Sequence, residues 1–433
     1  MTKVLIITYY WPPSGGAGVQ RWLKLTKYLA EFGIEPLVLT VDEKQASYAV
    51  HDPSLLDEIA GSTRVFKTPT SEPFESYKKL LGKKSIPYGG FANETKPGLF
   101  DKIARFVRGN FFIPDARVGW NRFAIEKASE LIRNEKIEVV ITSSPPHSTQ
   151  LIGLELKKRL PIKWIADLCD PWTDIYYYDE FYHLPFALKK DKAFERRVVE
   201  ESDRILIASP PWRQLFQSKT KKPIEDKTHF LPMGYDEADF NRSFKEDKDH
   251  FIITYAGTLA DSYRPEVFAE ALRLLDRNKT PKLKVRFVGS VTPAIKSHFE
   301  SRGVADLLEI LPYVKHYRSV EYLKEGSALL LAIPQNKNEE IIIPGKIFEY
   351  LAARKPVICL GPLNGESARL IEGNQAGRAF DHTMAADMSA YIQVLYSRWE
   401  QGENINLPED PSIVRFSRRD QARQLSELVK GLK

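Results

Sequence analysis

The chain of 433 residues has little of what marks disulfide-bonded, zinc-binding or membrane-spanning proteins. Its two cysteines, Cys169 and Cys359, lie far apart, which excludes a disulfide scaffold and a zinc site made of thiolates and fits a reducing compartment. No apolar run approaches the ~18–20 residues that cross a bilayer. The apolar stretch Val4–Trp11 is short and ends at Pro12, so we interpret it as a buried strand and not as an export signal. We therefore expect a cytoplasmic protein.

Two further absences concern cofactors and architecture. No low-complexity tract interrupts the chain, and the length predicts two or three domains at roughly 150 residues each. No Asp-x-Asp motif follows a predicted strand where it could bind a nucleotide-associated Mg²⁺, which is held by oxygen ligands. We therefore expect a globular protein that needs neither a metal nor a cofactor.

Short apolar runs alternate with helical patterns through the first half of the chain. The predicted strands are Val4–Tyr9, Pro36–Val41, Val139–Ser143, Lys163–Asp167 and Ile205–Ala208. The predicted helices are Gly18–Phe32, Asn121–Asn134, Ser148–Arg159 and Phe186–Ser202. This alternation predicts a parallel sheet with helices on both faces. Residues 42–118 break the rhythm and are expected to form a long irregular insertion.

The same alternation begins again after the polar stretch Gly234–His250. Strands are predicted at Phe251–Tyr255, Lys284–Val288, Ala328–Ile333 and Pro356–Leu360, and helices at Pro265–Asn278, Thr292–Arg302, Lys346–Arg354, Ala385–Glu400 and Arg418–Lys430. The predicted fold class is therefore α/β, with two Rossmann-like domains. We place the first at residues 1–235, the second at 236–410, and a C-terminal helix at 411–433 that packs back on the first domain.

A glycine-rich loop follows the first predicted strand. It contains Gly15, Gly16 and Gly18, and Arg21 follows on the first turns of the next helix. Glycines let backbone amides approach a ligand closely, and a helix N-terminus attracts anions. The loop predicts a ligand contact, although a tight strand-to-helix turn would need the same residues.

Polar residues also end two other strands of the first half. His147 follows the strand that ends at Ser143, and Asp167 and Asp170 close the next one. Loops at the carboxyl ends of parallel strands line one edge of a sheet. A carboxylate there can orient an acceptor hydroxyl or accept its proton, so these three residues are candidate catalytic groups. Packing of the histidine and a turn at Asp170-Pro171 are the structural alternatives.

The second half carries a candidate anion site. Gly257 and Thr258 end its first strand, and Arg264 follows. Gly345 and Lys346 begin a later helix that offers free amides, a positive dipole end and an ammonium group. One turn into that helix, Glu349 could accept hydrogen bonds from vicinal hydroxyls. A capping or surface glutamate is the alternative for Glu349.

Together these segments resemble the glycosyltransferase family 4 pattern of the GT-B fold, and the likeness covers nearly the whole chain. It rests on the glycine loop, on Ser143-Ser-Pro-Pro-His147 paired with Asp167-Leu-Cys-Asp170-Pro-Trp172, and on Pro232-Met-Gly-Tyr-Asp236. The run from Pro344 through Glu349 to Pro356-Val357 is the most specific match. Two positions differ from the common pattern, namely Ile341 in place of a glutamate and Thr258 in place of an arginine.

The resemblance implies two domains whose parallel sheets face a central cleft, with the glycine loop opposite the Gly345–Glu349 helix start. It implies sugar transfer from a nucleotide-sugar donor with retention of configuration. Glu349 would bind the ribose, and Lys346 and Arg264 would bind the diphosphate beside Gly257. Bacterial surface polysaccharide or glycolipid assembly is the expected setting. A GT-B nucleotide-sugar epimerase and a non-catalytic nucleotide-sugar-binding protein are the alternatives.

Residues 74–136 carry 13 Lys and Arg against 7 Asp and Glu, together with several phenylalanines. The predicted basic and aromatic residues of this edge are Lys78, Lys79, Lys83, Lys84, Lys102, Arg105, Arg108, Phe100, Phe106, Phe111 and Phe112. Basic residues beside aromatics suit an anionic interface. By charge alone this edge could meet anionic lipid, a phosphorylated substrate or nucleic acid. With the resemblance, the expected partners are a nucleotide sugar, a glycan or lipid-linked acceptor and the inner face of the cell membrane, and not nucleic acid. An ordinary solvated surface is the alternative.

Overall fold

The computed structural model describes residues 1–72, 99–242, 244 and 246–432. The chain divides into two compact units, one formed by residues 1–233 with 418–433 and the other by residues 234–417. The sequence predicted boundaries after residues 235 and 410.

The first unit is built on a seven-stranded parallel sheet in the order β3-β2-β1-β4-β5-β6-β7. Its strands are β1 (Thr2–Ile7), β2 (Ile34–Val41), β3 (Arg64–Thr68), β4 (Val139–Ser144), β5 (Lys163–Leu168), β6 (Arg204–Ile207) and β7 (Thr228–Phe230). Its helices are α1 (Ala17–Leu29), α2 (Leu99–Phe111), α3 (Asn121–Glu135), α4 (Ser148–Arg159), α5 (Pro185–Glu201) and α6 (Trp212–Gln217). The apolar runs form the central strands because both faces of a parallel sheet are buried.

The part of residues 42–118 that the structure describes is more regular than the sequence predicted. It contains the edge strand β3 and the helix α2, so the prediction of an irregular insertion is wrong there. Strand β3 pairs with β2, where Leu37 lies opposite Arg64. Only Thr68 of its five residues is buried, and the sequence of the strand contains no apolar run that predicts it. The predicted membrane residues Lys78, Lys79, Lys83 and Lys84 and the side chain of Phe100 lie outside the described residues.

The last helix of the chain, Arg418–Lys430, belongs to the first unit and packs on α1. Its buried residues Leu425 and Val429 join the same core as Val19 of α1. Hydrogen bonds fix it at both ends, since Gln421 Nε2 donates to the Pro232 carbonyl at 2.9 Å and Ser426 Oγ donates to the Phe32 carbonyl at 2.9 Å. The first unit therefore includes the far C-terminal end of the chain.

The second unit is built on a six-stranded parallel sheet in the order β10-β9-β8-β11-β12-β13. Its strands are β8 (Phe251–Ala256), β9 (Leu283–Val288), β10 (Leu308–Leu311), β11 (Ala328–Ala332), β12 (Val357–Leu360) and β13 (Gly377–Phe380). Its helices are α7 (Glu237–Phe240), α8 (Pro265–Arg273), α9 (Pro293–Glu300), α10 (His316–Glu325), α11 (Lys346–Ala353), α12 (Glu366–Gly373) and α13 (Ala385–Glu400), and the helix Arg418–Lys430 of the first unit is α14.

Each sheet contains strands that the sequence analysis missed. Strands β7, β10 and β13 have three or four residues each and lie at sheet edges. An edge strand has one neighbour and needs no long apolar run. None of the helices in the described parts of the chain is both long and apolar enough to cross a membrane.

Candidate functional site

A cavity of about 370 Å³ lies in the first unit at the carboxyl edge of its sheet. Its walls come from the loops after β1, β4 and β5, from α2, and from residues 175–183. These segments are distant in sequence, but the carboxyl ends of parallel strands meet at one edge. Gly15, Gly18, His147 and Asp170, four of the predicted site residues, all line it.

The imidazole of His147 forms one wall of this cavity. It stacks on the indole of Trp172 with ring centroids 4.7 Å apart and an interplanar angle of 13°. Burial lowers the pKa of His147 to about 4, so the ring is neutral at physiological pH. Its Nδ1 atom is buried and has no hydrogen-bond partner among the described residues. A buried ring nitrogen without a partner is one that an ordered water or a ligand would satisfy.

A buried carboxylate holds that stack in place. Asp191 of α5 is 1% exposed, and it accepts hydrogen bonds from Trp172 Nε1 at 2.8 Å and from the Tyr178 hydroxyl at 2.7 Å. Burial raises the pKa of Asp191 to about 7. The sequence analysis missed Asp191 because it lies among lysines in an amphipathic helix, where an acidic residue indicates an exposed face. It acts on the cavity by positioning Trp172.

Asp170 follows β5 and is partly exposed to the cavity. Burial raises its pKa to about 6, and no charged neighbour contributes to that shift. The carboxyl group is therefore mostly ionised at neutral pH but holds a proton more strongly than an exposed aspartate. Such a group can accept a proton from a hydroxyl or orient it.

The glycine loop borders the same cavity. Gly16 precedes α1 with a φ of 95°, a left-handed conformation that glycine adopts without strain. A Cβ atom on Gly15 would lie 2.8 Å from Val50 Cγ1, so the loop fits closely against that residue. A Cβ on Gly18 would meet nothing within 4 Å. Gly15 and Gly16 are thus required by the local backbone, and Gly18 leaves open space.

Two predicted site residues, Arg21 and Asp167, are fully buried in the first unit. Asp167 is 0% exposed and Arg21 is 1% exposed, and they form a bidentate ion pair at 2.7 and 3.0 Å. Arg21 also donates to the Pro232 carbonyl at 2.7 Å, and Asp167 accepts from Trp22 Nε1 and Ser143 Oγ at 2.9 Å each. A buried charge must be paired and hydrogen-bonded. Asp167 and Arg21 therefore join α1 to β5, and neither side chain is exposed in this arrangement.

The second unit carries a separate cluster at the carboxyl end of β8. Gly257 has a φ of 120°, and a Cβ atom there would lie 2.8 Å from Lys346 Nζ. Lys346 begins α11, and its ammonium donates to the Tyr255 hydroxyl at 2.9 Å and lies 4.1 Å from that ring's centroid. Burial lowers the pKa of Lys346 to about 7. The ammonium is thus largely desolvated, and an anion beside it would restore its charge.

Glu349 lies one turn into α11, and its side chain is 26% exposed. Its Oε1 atom is 2.8 Å from Nε2 of His316, the first residue of α10. The other ring nitrogen of His316 lies 3.7 Å from an Asp239 carboxylate oxygen. His316 therefore fixes the direction of the Glu349 carboxylate. The sequence analysis missed His316 because it is 33 residues away in the chain.

Three other residues predicted to bind the donor are Gly345, Thr258 and Arg264. Gly345 precedes α11 with helical dihedrals and no side-chain cap. The Thr258 carbonyl accepts a hydrogen bond from the Tyr255 hydroxyl at 2.6 Å, which ties the strand end to Lys346. Arg264 has a side chain 40% exposed that forms an ion pair with Glu266 and a 2.8 Å hydrogen bond to Gln335 Oε1. Lys346, Gly257, Thr258 and Glu349 thus share one cluster, whereas Arg264 would have to exchange present partners for a ligand.

Across the described ranges, no group of three or more His, Cys, Asp or Glu residues could hold a metal ion. The two cysteines are free, and Cys359 is buried.

Comparison with known proteins identifies the second unit. Residues 236–406 match the family described as glycosyl transferases group 1. No curated protein matched the sequence directly. A glycosyltransferase from Rickettsia africae ESF-5 has a similar structure, with 14% identity, a TM-score of 0.61, and 99% of this chain and 98% of that chain covered.

Two further structures span the whole chain. Anabaena HepE in complex with UDP and glucose has 12% identity and a TM-score of 0.59, with both chains covered completely. A sucrose-phosphate synthase from Thermosynechococcus elongatus has 13% identity and a TM-score of 0.61, with 100% of this chain and 99% of that chain covered. The shared architecture confirms the predicted α/β GT-B fold, and the family match confirms the predicted glycosyltransferase class.

Proposed function

We propose that this GT-B glycosyltransferase moves a sugar from a nucleotide-sugar donor, bound by the group 1 domain, to an acceptor bound in the cavity of the first unit. The anomeric configuration is retained, and no metal takes part. The transfer serves bacterial surface polysaccharide or glycolipid assembly at the inner face of the cell membrane. The observation that carries the proposal is the cluster at the start of α11, where a desolvated ammonium and a fixed carboxylate lie one helical turn apart.

The chemistry of that cluster suits a nucleoside diphosphate. Phosphate oxygens are favoured at a helix N-terminus and beside an ammonium. Because Gly257 has no side chain, the phosphates can approach Lys346 closely. Glu349, one turn along, can accept hydrogen bonds from the two hydroxyls of a ribose. HepE was crystallised with UDP and with UDP-glucose, which supports a nucleotide-sugar donor for this fold.

The cavity of the first unit suits an acceptor hydroxyl. Asp170, with its pKa near 6, accepts or orients the proton of the attacking hydroxyl. The neutral His147 ring offers a second polar contact and, with Trp172, a flat surface against which a sugar ring can pack. Diphosphate departure is stabilised by Lys346 and the helix end, in place of a metal ion.

The direct test is titration calorimetry of Glu349→Ala with a panel of nucleoside diphosphates. Charge-assisted hydrogen bonds contribute roughly 1.5–3 kcal/mol each, so the variant should bind the cognate diphosphate at least about tenfold more weakly. Glu366→Ala is the matched control, because Glu366 lies in the first turn of the next helix, α12, and pairs with Arg369. Equal affinity in Glu349→Ala and the unaltered protein would place the donor elsewhere and reject the assignment.

Product analysis separates the alternatives. A glycosyltransferase consumes the nucleotide sugar faster when acceptor is present and forms a glycosidic product. An epimerase converts the sugar of the nucleotide sugar without acceptor. A non-catalytic protein binds the nucleotide and gives no product in either reaction.

The surface of the first unit supports contact with a membrane. Ile103, Val107 and Phe111 are spaced four residues apart on α2 and are 51%, 39% and 69% exposed, so they form one apolar face, here named the α2 stripe. Leu184 and Phe186 extend it with 40% and 55% exposure. Exposed lysines Lys102, Lys189 and Lys190 lie on the same two helices. Apolar and basic groups together suit an anionic bilayer surface.

Two of the arginines predicted for this membrane edge face inward. Arg105 is 4% exposed and pairs with Glu180 at 2.6 Å, and Arg108 stacks on the Phe181 ring at 4.5 Å and lines the cavity. The prediction is corrected for both, because α2 turns this side toward residues 178–183.

A further inference from the structure

Two arginines line the cavity of the first unit. Arg108 reaches it from α2, and Arg117 reaches it from the turn before α3. Arg117 is 7% exposed, and its Nη2 donates to the Ser47 carbonyl at 3.3 Å. Burial and the nearby Arg117 charge both lower the pKa of Arg108. Guanidinium groups that line a cavity can donate paired hydrogen bonds to a phosphate group.

Three carboxylates of this region accept hydrogen bonds from other groups. Asp115 accepts from the Ser148 backbone N–H at 2.7 Å and from Ser148 Oγ at 2.8 Å, which caps α4. Asp191 accepts from Trp172 and Tyr178. Glu72, near Arg117, accepts from the Tyr9 hydroxyl at 2.5 Å. Asp115, Asp191 and Glu72 therefore each hold a protein segment in place, and Glu72 and Asp115 also favour the charged form of Arg117 by raising its pKa.

Part of the cavity wall is aromatic. The indole of Trp172 and the rings of Tyr10, Tyr176, Tyr177 and Phe181 line it. Aromatic side chains with hydroxyl groups provide flat apolar contact and hydrogen bonds together, which suits a sugar ring. A volume of about 370 Å³ is at the low end of small-molecule sites. Such a space suits one sugar residue with one attached group better than an oligosaccharide.

Helix α2 connects this cavity to the α2 stripe. Arg108 lines the cavity, and the adjacent Val107 is exposed on the stripe, about 1.5 Å away along the helix axis. We propose that the cavity binds a sugar phosphate ester, with the phosphate at Arg108 and Arg117 and the sugar against the Trp172–Tyr177 wall. The assignment rests on the proposed function, since this ester is the acceptor of that transfer. A chain esterified to the phosphate would leave the cavity along the α2 stripe.

The test is calorimetric titration without donor. The probes are glucose 1-phosphate, methyl α-glucoside and geranyl phosphate, which separate the phosphate, the sugar and the apolar chain. Glucose 1-phosphate should bind at least about tenfold more tightly than methyl glucoside, because charge-assisted hydrogen bonds are the stronger ones. Arg108→Gln should remove most of this difference, and Arg108→Lys should restore part of it. Lys102→Gln is the control, since it removes one charge from the exposed side of the same helix.

Titration in the Lys346→Met background separates this proposal from the donor assignment. If the affinity for glucose 1-phosphate depends on Lys346 and not on Arg108, the proposal is overturned. Equal binding of glucose 1-phosphate and methyl glucoside also overturns it. A lipid-linked ester is supported if geranyl phosphate binds more tightly than glucose 1-phosphate and if its affinity falls in Val107→Glu. A soluble ester is supported if geranyl phosphate binds more weakly than glucose 1-phosphate. Thermal unfolding of each variant shows whether it is folded. If Arg108→Gln does not fold, the affinity of Arg108→Lys for glucose 1-phosphate decides the question.

Discussion

Replacing Lys346 by methionine tests the donor site most directly. The titration of this one group makes diphosphate affinity fall with pH and makes the stability of the unliganded protein rise with pH. Burial places the pKa of Lys346 near 7, against about 10.4 for an exposed lysine. A bound diphosphate favours the charged form, so binding above pH 7 must take up a proton. Between pH 7.5 and 9 the protonated fraction of the free site falls roughly twentyfold. The dissociation constant of the cognate nucleoside diphosphate should rise by about the same factor.

The stability of the unliganded protein should change in the other direction. Between pH 7 and about 10 the unfolded chain holds the proton on this lysine while the folded chain has released it. The contribution of Lys346 to folding stability therefore increases with pH over this window. Lys346→Met should remove both dependences and weaken the diphosphate at pH 7 by roughly tenfold or more, with a smaller effect on the bare nucleoside.

The assay is calorimetry of the cognate nucleoside diphosphate at several pH values in buffers of different ionisation enthalpy, which gives the proton uptake. Lys355→Met is the matched control, because Lys355 is a lysine of the same unit whose pKa burial also lowers; it is 3% exposed and paired with Glu246. An affinity that stays constant from pH 7.5 to 9 without proton uptake would refute the reasoning. So would a Lys346→Met protein that keeps the pH dependence of the unaltered one.

Four further predictions concern the other groups. For Asp170→Asn, the rise of kcat/KM with pH through about 6 should disappear, and a pH profile with the same limb as the unaltered protein would contradict its role as proton acceptor. Asp167→Asn should cost about 3–5 kcal/mol in urea unfolding, because Arg21 stays buried without its charge partner; an unchanged midpoint would count against the structural assignment. Transfer activity should survive EDTA, and a complete loss that Mg²⁺ or Mn²⁺ restores would reject the metal-free mechanism. Phe111→Glu should reduce flotation with anionic vesicles, whereas Val394→Glu, at an apolar position of the second unit that is 55% exposed, should not; equal flotation of both variants would end the membrane proposal.

Local features of the sequence predicted most of the fold. Central strands such as β1 and β4 need continuous apolar residues because both of their faces are buried, so their runs are visible in the sequence. The start of α11 was equally visible, since Pro344, Gly345 and Lys346 mark a helix N-terminus by their backbone preferences. Strands β10 and β13 were missed because a four-residue edge strand needs neither a continuous apolar run nor marked residues at its start.

The sequence by itself determined the class of protein and the segments that carry its chemistry, because strand, loop and helix patterns arise from neighbouring residues. Tertiary structure alone decided which side chains are available. Arg21 and Asp167 looked like ligands in the sequence, but packing α1 on the sheet buries them in an ion pair. Arg108 looked like a surface charge, but α2 turns it into the cavity. Burial depends on which distant segment covers a residue, and no local pattern contains that information.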